Sequence, residues 1–593
     1  MSSLAMPVVD PVPTSAPGGP QTIPGVFFGQ AARQGEREYL HFFRDGSWQS
    51  LSWNETAERA RRVACGLIAA GLKPGEHVAL LSENRVEWLY CDLAILAAGG
   101  VSVPIYPSIT ARVAGYIADD SKTRLAIASS AELAAKLGGR DYPSRIFMID
   151  TDVVKWVENE PAAELEEALD SRLETLRPDR VATVVYTSGT TGDPKGVMLT
   201  HHHFVEVGKS ALQAFHIGPD DCLLSYLPYS HVLERVDGIF VETMAGSSFW
   251  LARSLDSLLE DIQTARPTVM LGVPRVFEKV YEAVFDKVRH QPVYRRAIFR
   301  WALGIGAARL HGTPGPWLQL RLRIAERLVL HSLRMRLTGG RLRFFISGGA
   351  PLNEKVEEFF WSIGVKILQG WGLTETTSGV SSNTEEFHRY RTVGKALPGM
   401  KIRIEDDGEI LVSGPAVMLG YKNKPEATAE TLSDAWLRTG DMGFIDHDGF
   451  LTITDRKKDL IKTSGGKYVA PLPIESQLEN DRNVKASLVV GDQRPYVVAL
   501  IVPDWEALRA DIGLEGEPST LVSDARVRSR FSATVDKVNK GLASFESVKY
   551  FALLDRDFTE AGGELTPTLK KKRRVISQHF REQIDAMYLR PKG

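Results

Sequence analysis

Cysteine is nearly missing. Only Cys65, Cys91 and Cys222 occur in 593 residues, too few and too far apart for a disulfide framework or a zinc site, and a reducing cytosol suits such a chain. A dominant charge is missing too: 72 lysines and arginines face 74 acids, a net of −2, which argues against a whole-protein preference for nucleic acid. No basic residue precedes Arg33, and the opening is rich in Pro, Ser and Gly. No signal peptide is expected there, and residues 1–22 read as a disordered tail. Long apolar runs are scarce. The one candidate span, 88–105, is broken by Asp92 and Gly99-Gly100 and reads as a buried helix leading into a strand. The Walker pattern is also absent, because Pro194 stands where glycine should precede the lysine and Gly196 where a magnesium-binding hydroxyl should follow it. Kinase-type ATPases are thereby disfavoured.

What is present is enough chain for two or more domains. Strands at 77–81 and 101–105 flank a helix at 85–98, and the pattern returns at 125–128 and 145–149. The reading is α/β, with mostly parallel strands whose ligands bind beyond their carboxyl ends. The β-branched run 181–185 enters the stretch Tyr186-Thr187-Ser188-Gly189-Thr190-Thr191-Gly192-Asp193-Pro194-Lys195-Gly196. Glycines let backbone approach a triphosphate, hydroxyls donate to its oxygens, and Lys195 adds a point charge.

Further along, strand 342–346 leads into Ser347-Gly348-Gly349-Ala350, and strand 365–368 into Gln369-Gly370-Trp371-Gly372-Leu373-Thr374-Glu375. Trp371 offers a flat face to an adenine, Thr374 a hydroxyl to the α-phosphate, and Glu375 a hard oxygen for magnesium. Asp441 suits ribose hydroxyls, which need an acceptor. His231, in Leu227-Pro228-Tyr229-Ser230-His231, stands among apolar residues and on that ground alone reads as core. From 286 to 336, eleven basic residues interleaved with leucines meet only Asp286 and Glu326. Such helices suit an anionic membrane surface or a solvated insertion that covers core with arginine stems. Beyond residue 457 the pattern becomes a small α+β unit ending in Leu565-Thr566-Pro567-Thr568-Leu569-Lys570-Lys571-Lys572-Arg573-Arg574.

In this order these motifs resemble those of the adenylate-forming enzymes, the acyl-CoA synthetases, luciferases and peptide-synthetase adenylation domains. Residues 271–281 resemble the members that handle long-chain fatty acids. The resemblance implies a large N-terminal domain over 23–456 with a basic helical insertion at about 285–338, and a mobile cap domain over 457–593. It implies ATP, Mg2+ and CoA with a fatty acid, no nucleic acid, and a cytoplasmic protein with peripheral contact at the inner membrane surface through the insertion.

By the same resemblance Thr187, Ser188, Gly189, Thr190, Thr191, Gly192 and Lys195 hold the phosphates, and Thr187 and Glu375 the metal. Gly348, Gly349 and Ala350 lie between adenine and acyl group, beside Gln369, Gly370, Trp371, Gly372 and Thr374. His231 orients the acid, Asp441 and Arg456 touch the nucleotide, and the hinge turns on Lys458 near Lys462. Gly465 and Gly466 line the pantetheine tunnel, and Lys570 is the adenylation lysine, with Lys572 as the alternative. A fatty-acyl-AMP ligase that delivers to a carrier protein is the second reading. Acyl length and oligomeric state have no signature in these motifs.

Overall fold

The computed structural model describes residues 21–139, 141–187, 193–308, 315–566 and 570–589. Short β-branched runs become strands and apolar-periodic stretches become helices, giving a mixed α/β chain in two units. One comprises Met1–Arg403, Leu411–Arg438 and His447–Leu451; the other comprises Ile404–Ile410, Thr439–Asp446 and Thr452–Gly593.

The larger unit carries two main sheets. One runs in the order 420–421, 195–200, 181–187, 101–105, 77–81, 125–128, 145–148. Neighbours from 181–187 onward are parallel, whereas 195–200 folds back antiparallel on 181–187 and 420–421 pairs antiparallel with 195–200. The other has nine strands, in the order 395–396, 378–382, 367–373, 344–347, 269–272, 222–225, 248–251, 38–44, 47–52. It is parallel in the middle and antiparallel at both ends.

Helix Val86–Ala97 is buried at every position, as a helix apolar all round must be. It shares a core with Val78 and Leu80 of the first sheet and Phe249, Leu271 and Phe344 of the second. The run 88–105 is therefore helix, tight turn at Gly99 (φ +78°) and strand. No helix among the described residues is long and apolar enough to cross a membrane.

The basic stretch folds as helices Pro274–Arg289, Val293–Ala308, Pro316–Ala325, Glu326–Leu330 and His331–Thr338. Phe299, Ala302, Ile305, Ala325, Leu330 and Leu337 fill a second core with Phe359 and Phe360. Val293, Tyr294, Trp317, Leu320 and Leu328 stay exposed.

In the smaller unit, strands 484–490, 498–503 and 550–553 form one sheet, the first pair antiparallel and the second parallel. Strand alternation feeds two cores. Ala499 and Ile501 pack with Ile474, Leu478 and Phe531, while Val498, Leu500 and Val502 pack with Ile576, Phe580 and Ile584.

Candidate active site

The phosphate-loop motif joins two antiparallel strands of the larger unit, with Thr187 directly opposite Lys195. Residues 188–192, and with them Ser188, Gly189, Thr190, Thr191 and Gly192, lie outside the described residues. Gly196 has a packing reason to be glycine, because a Cβ there would stand 2.8 Å from Val184 and 2.9 Å from the Tyr186 ring. Tyr186 in turn donates to Asp120 at 2.6 Å. The two-residue strand 420–421 closes the sheet edge beyond Lys195, with Gly420 opposite Met198 and Tyr421 opposite Val197. Lys195 Nζ consequently lies 4.6 Å from the centre of the Tyr421 ring.

The Trp371 motif occupies a strand rather than the loop expected after residue 368. Strand 367–373 carries Gln369, Gly370, Trp371 and Gly372, turns through Thr374 and Glu375, and returns as 378–382. Sequence pattern missed this because glycines normally weaken a strand. Here Gly372 is required by close approach: a Cβ would fall 1.6 Å from the Ser378 carbonyl oxygen. The turn uses left-handed backbone at Thr377 (φ +60°) and is held by Thr376, whose hydroxyl accepts from the Leu373 amide, and by Thr377, whose hydroxyl donates to the Ala416 carbonyl. Glu375 is anchored twice. Its carbonyl accepts the Met418 amide at 2.8 Å, and its carboxylate accepts the Tyr421 hydroxyl at 2.8 Å.

The Gly348, Gly349 and Ala350 turn is adjacent, since Ser347 pairs with Gln369 across parallel strands. Gly349 has φ +84°, and the buried Ser347 hydroxyl has no partner among the described residues. Gln369 donates to Glu357 at 2.9 Å, whose carboxyl burial pushes up to about 7. An orphaned hydroxyl beside an open glycine turn fits a polar ligand. Thr187 and Glu375 offer oxygen donors alone, and among the described residues no cluster of three His, Cys, Asp or Glu could hold a metal by itself. That sparse set fits Mg2+, which takes one or two protein ligands and fills its shell with waters and phosphate oxygens.

His231 is half-buried. Its Nδ1 accepts the Leu233 amide at 3.1 Å, which leaves the neutral ring's proton on Nε2. It precedes the π-helical turn Leu233–Phe240, whose Leu233 lies 3.5 Å from where a Cβ on Gly348 would be. Two charged residues fix this turn, and neither figured among the candidates. Arg235 donates to both oxygens of Asp92, at 2.9 and 2.8 Å, and to Thr183 at 2.6 Å. Asp92 also accepts from Ser102. The His231 segment is thus tied to the strand that ends at Thr187. An acid in the middle of a mostly apolar helix, Asp92, and a charged residue ahead of an apolar stretch, Arg235, were the available signals.

In the smaller unit, buried Asp441 pairs with Arg456 at 3.0 Å. Lys457 binds Asp407 and Glu409 at 2.6 and 2.7 Å, whereas Lys458 is exposed on the following turn. Strands 461–462 and 468–469 pair, so Lys462 opens a hairpin whose exposed tip holds Gly465 and Gly466, the latter at φ +75°. The three consecutive lysines differ sharply. Lys571 Nζ is drawn into the unit by Glu475, Glu479 and the Ser487 carbonyl, and Arg573 joins it on Glu475. Lys570 is exposed beside it, its amide donating to the Thr566 hydroxyl. The Lys572 amide is bound to Glu564 as helix Arg573–His579 begins.

A family model described as AMP-binding enzyme matches residues 27–422, and one described as AMP-binding enzyme C-terminal domain matches residues 458–592. The long-chain-fatty-acid–CoA ligase FadD15 of Mycobacterium bovis is 37% identical over 563 residues, 92% of this chain and 93% of that protein. Among solved structures, the anthranilate CoA ligase AuaEII in complex with anthranoyl-AMP aligns with a TM-score of 0.72 at 18% identity, covering 94% of this chain and 97% of that one. ATP-bound MatB from Rhodopseudomonas palustris aligns at 0.70 with 25% identity, covering 95% and 99%.

Proposed function

Because the chain belongs to the AMP-binding enzyme family, we propose that it is a long-chain fatty-acid–CoA ligase that works by way of an acyl-adenylate. The observation that carries this reading is the meeting of Lys195, Tyr421 and Glu375 within the larger unit; the strand that leads to Glu375 pairs at Gln369 with Ser347, just before the glycine turn of residues 348–350.

In the first half-reaction a fatty-acid carboxylate oxygen attacks the α-phosphorus of ATP, and the bond to pyrophosphate breaks. No protein nucleophile is needed, because positioning and charge stabilisation carry phosphoryl chemistry of this kind. Lys195 and the phosphate-loop hydroxyls bind the departing phosphates. His231 orients the acid through Nε2–H. Trp371 packs against adenine, Thr374 bonds the α-phosphate, and Asp441 with Arg456 takes the ribose. Thr187 and Glu375 would hold magnesium, which would supply charge neutralisation in this half-reaction. Lys570 serves this half. The anchoring of Lys571 inside the smaller unit supports Lys570, exposed beside it, over Lys572, whose segment enters a helix. In the second half-reaction the CoA thiol loses its proton, sulfur attacks the acyl carbon and AMP leaves. Gly465 and Gly466 serve that half, with the chain between Arg456 and Lys462 as the pivot.

Peripheral membrane contact belongs to the same reading. The helices over 293–338 expose Trp317 at 79% and Leu328 at 59% among arginines, which suits collection of a lipid substrate from an anionic surface.

Carboxylic acids of graded length, scored for AMP release with and without CoA, test the assignment. CoA-dependent AMP release with long-chain acids is expected, whereas release dependent on a carrier protein instead of CoA would favour the acyl-AMP ligase. Lys570→Ala is expected to abolish ATP–pyrophosphate exchange while thioester formation from supplied acyl-adenylate survives. Equal loss of both would overturn the division of labour.

A further inference from the structure

Lysine and glutamate side chains at one phosphate site have an obvious alternative to binding a ligand, which is to bind each other. Among the described residues Glu375 takes its side-chain hydrogen bond from a phenol and not from a cation, and Lys195 faces the same phenol's ring. Tyr421 presents its π-face to the ammonium and its hydroxyl to the carboxylate, two interactions that one side chain satisfies at once. A charge–π contact uses no lone-pair acceptor, so the ammonium keeps donor capacity for a ligand. A single hydroxyl leaves the carboxylate with acceptor capacity to spare.

Tyr421 is itself held firmly. Its amide donates to the Thr428 hydroxyl at 2.9 Å, and residues on either side of it are bonded to the Lys195–Thr200 strand, the Leu419 amide to the Met198 carbonyl at 3.1 Å and the Lys422 amide to the Gly196 carbonyl at 2.8 Å. Two residues on, Asn423 donates to the Asp120 carbonyl at 2.7 Å, the residue whose carboxylate also receives Tyr186.

We propose that Tyr421 is a positioning residue for adenylation: it separates Lys195 from Glu375 and aims each at the phosphates and their cation. This deepens the function proposed above and rests on the role given there to Glu375.

Tyr421→Phe keeps the ring and deletes only the hydroxyl. The expected result is a rise of about tenfold in the Mg2+ concentration giving half-maximal ATP–pyrophosphate exchange, the size of one hydrogen bond to a charged group. Thioester formation from supplied acyl-adenylate should be unchanged, which also reports that the variant is folded. In a Glu375→Gln background the same change should add nothing. A Tyr421→Phe titration that overlays the wild type while Glu375→Gln shifts it would overturn the proposal alone. An unshifted Glu375→Gln would remove the metal role as well. Additive losses in the double variant, or equal loss of both half-reactions in Tyr421→Phe, would show a merely structural residue.

Discussion

The turn over residues 233–247 of the larger unit and the Glu475 site of the smaller both bury carboxylates, and they settle the charge in opposite ways. Glu234 and Glu242 accept hydrogen bonds from Ser225 and Ser247, and burial pushes both up to about 8. Glu475 is as deeply buried, yet the charges of Lys571 and Arg573 outweigh that desolvation and hold it below its ordinary value. Burial therefore favours the neutral acid at Glu234 and Glu242, and the neighbouring cations favour the anion at Glu475. What decides is a cation within hydrogen-bond reach, not depth.

The contrast breaks first at Glu475. Glu475→Ala leaves the half-buried Lys571 and Arg573 without their shared, fully buried anion and should cost about 3–5 kcal/mol in denaturant unfolding of the smaller unit. A cost near that of a surface change would mean the cations are not held by it. Second comes Glu234→Gln. The wild-type carboxyl, raised from 4.5 to about 8, contributes stability that is intact below about pH 4.5 and lost as pH climbs through 8. The variant lacks this dependence, so its advantage should grow by on the order of 2–4 kcal/mol between pH 5 and 8.5. The acid limb of the same unit belongs to other groups, because burial lowers His201 to about 3 and His203 to about 4, and their contribution disappears as pH falls below their ordinary range. A pH-independent difference would show Glu234 to be ionised. The smallest effect sharpens the rule from outside: Asp557 pairs with Lys485 in solvent, and Asp557→Asn should move stability by under ~0.5 kcal/mol.

Much of the fold was legible in local pattern. The apolar runs 77–81, 101–105 and 181–185, and the buried helix that follows the first, were found as strands and helix because burial on every side leaves near-continuous apolar stretches. Legibility failed where the partner lies far along the chain. Asp92 and Arg235 are separated by 143 residues, and nothing in either neighbourhood names the other. Tyr421 belongs to a strand of two residues, too short for any periodicity. The three lysines 570–572 are indistinguishable as letters and become distinct only once Glu475 and Glu479 draw the middle one inward.

That two-residue strand has a consequence beyond chemistry. Without it, Lys195–Thr200 would end the sheet with a row of bare amides and carbonyls, the kind of border onto which a second chain can template. Gly420 and Tyr421 therefore cover part of that border, and any redesign at this point has to leave it covered.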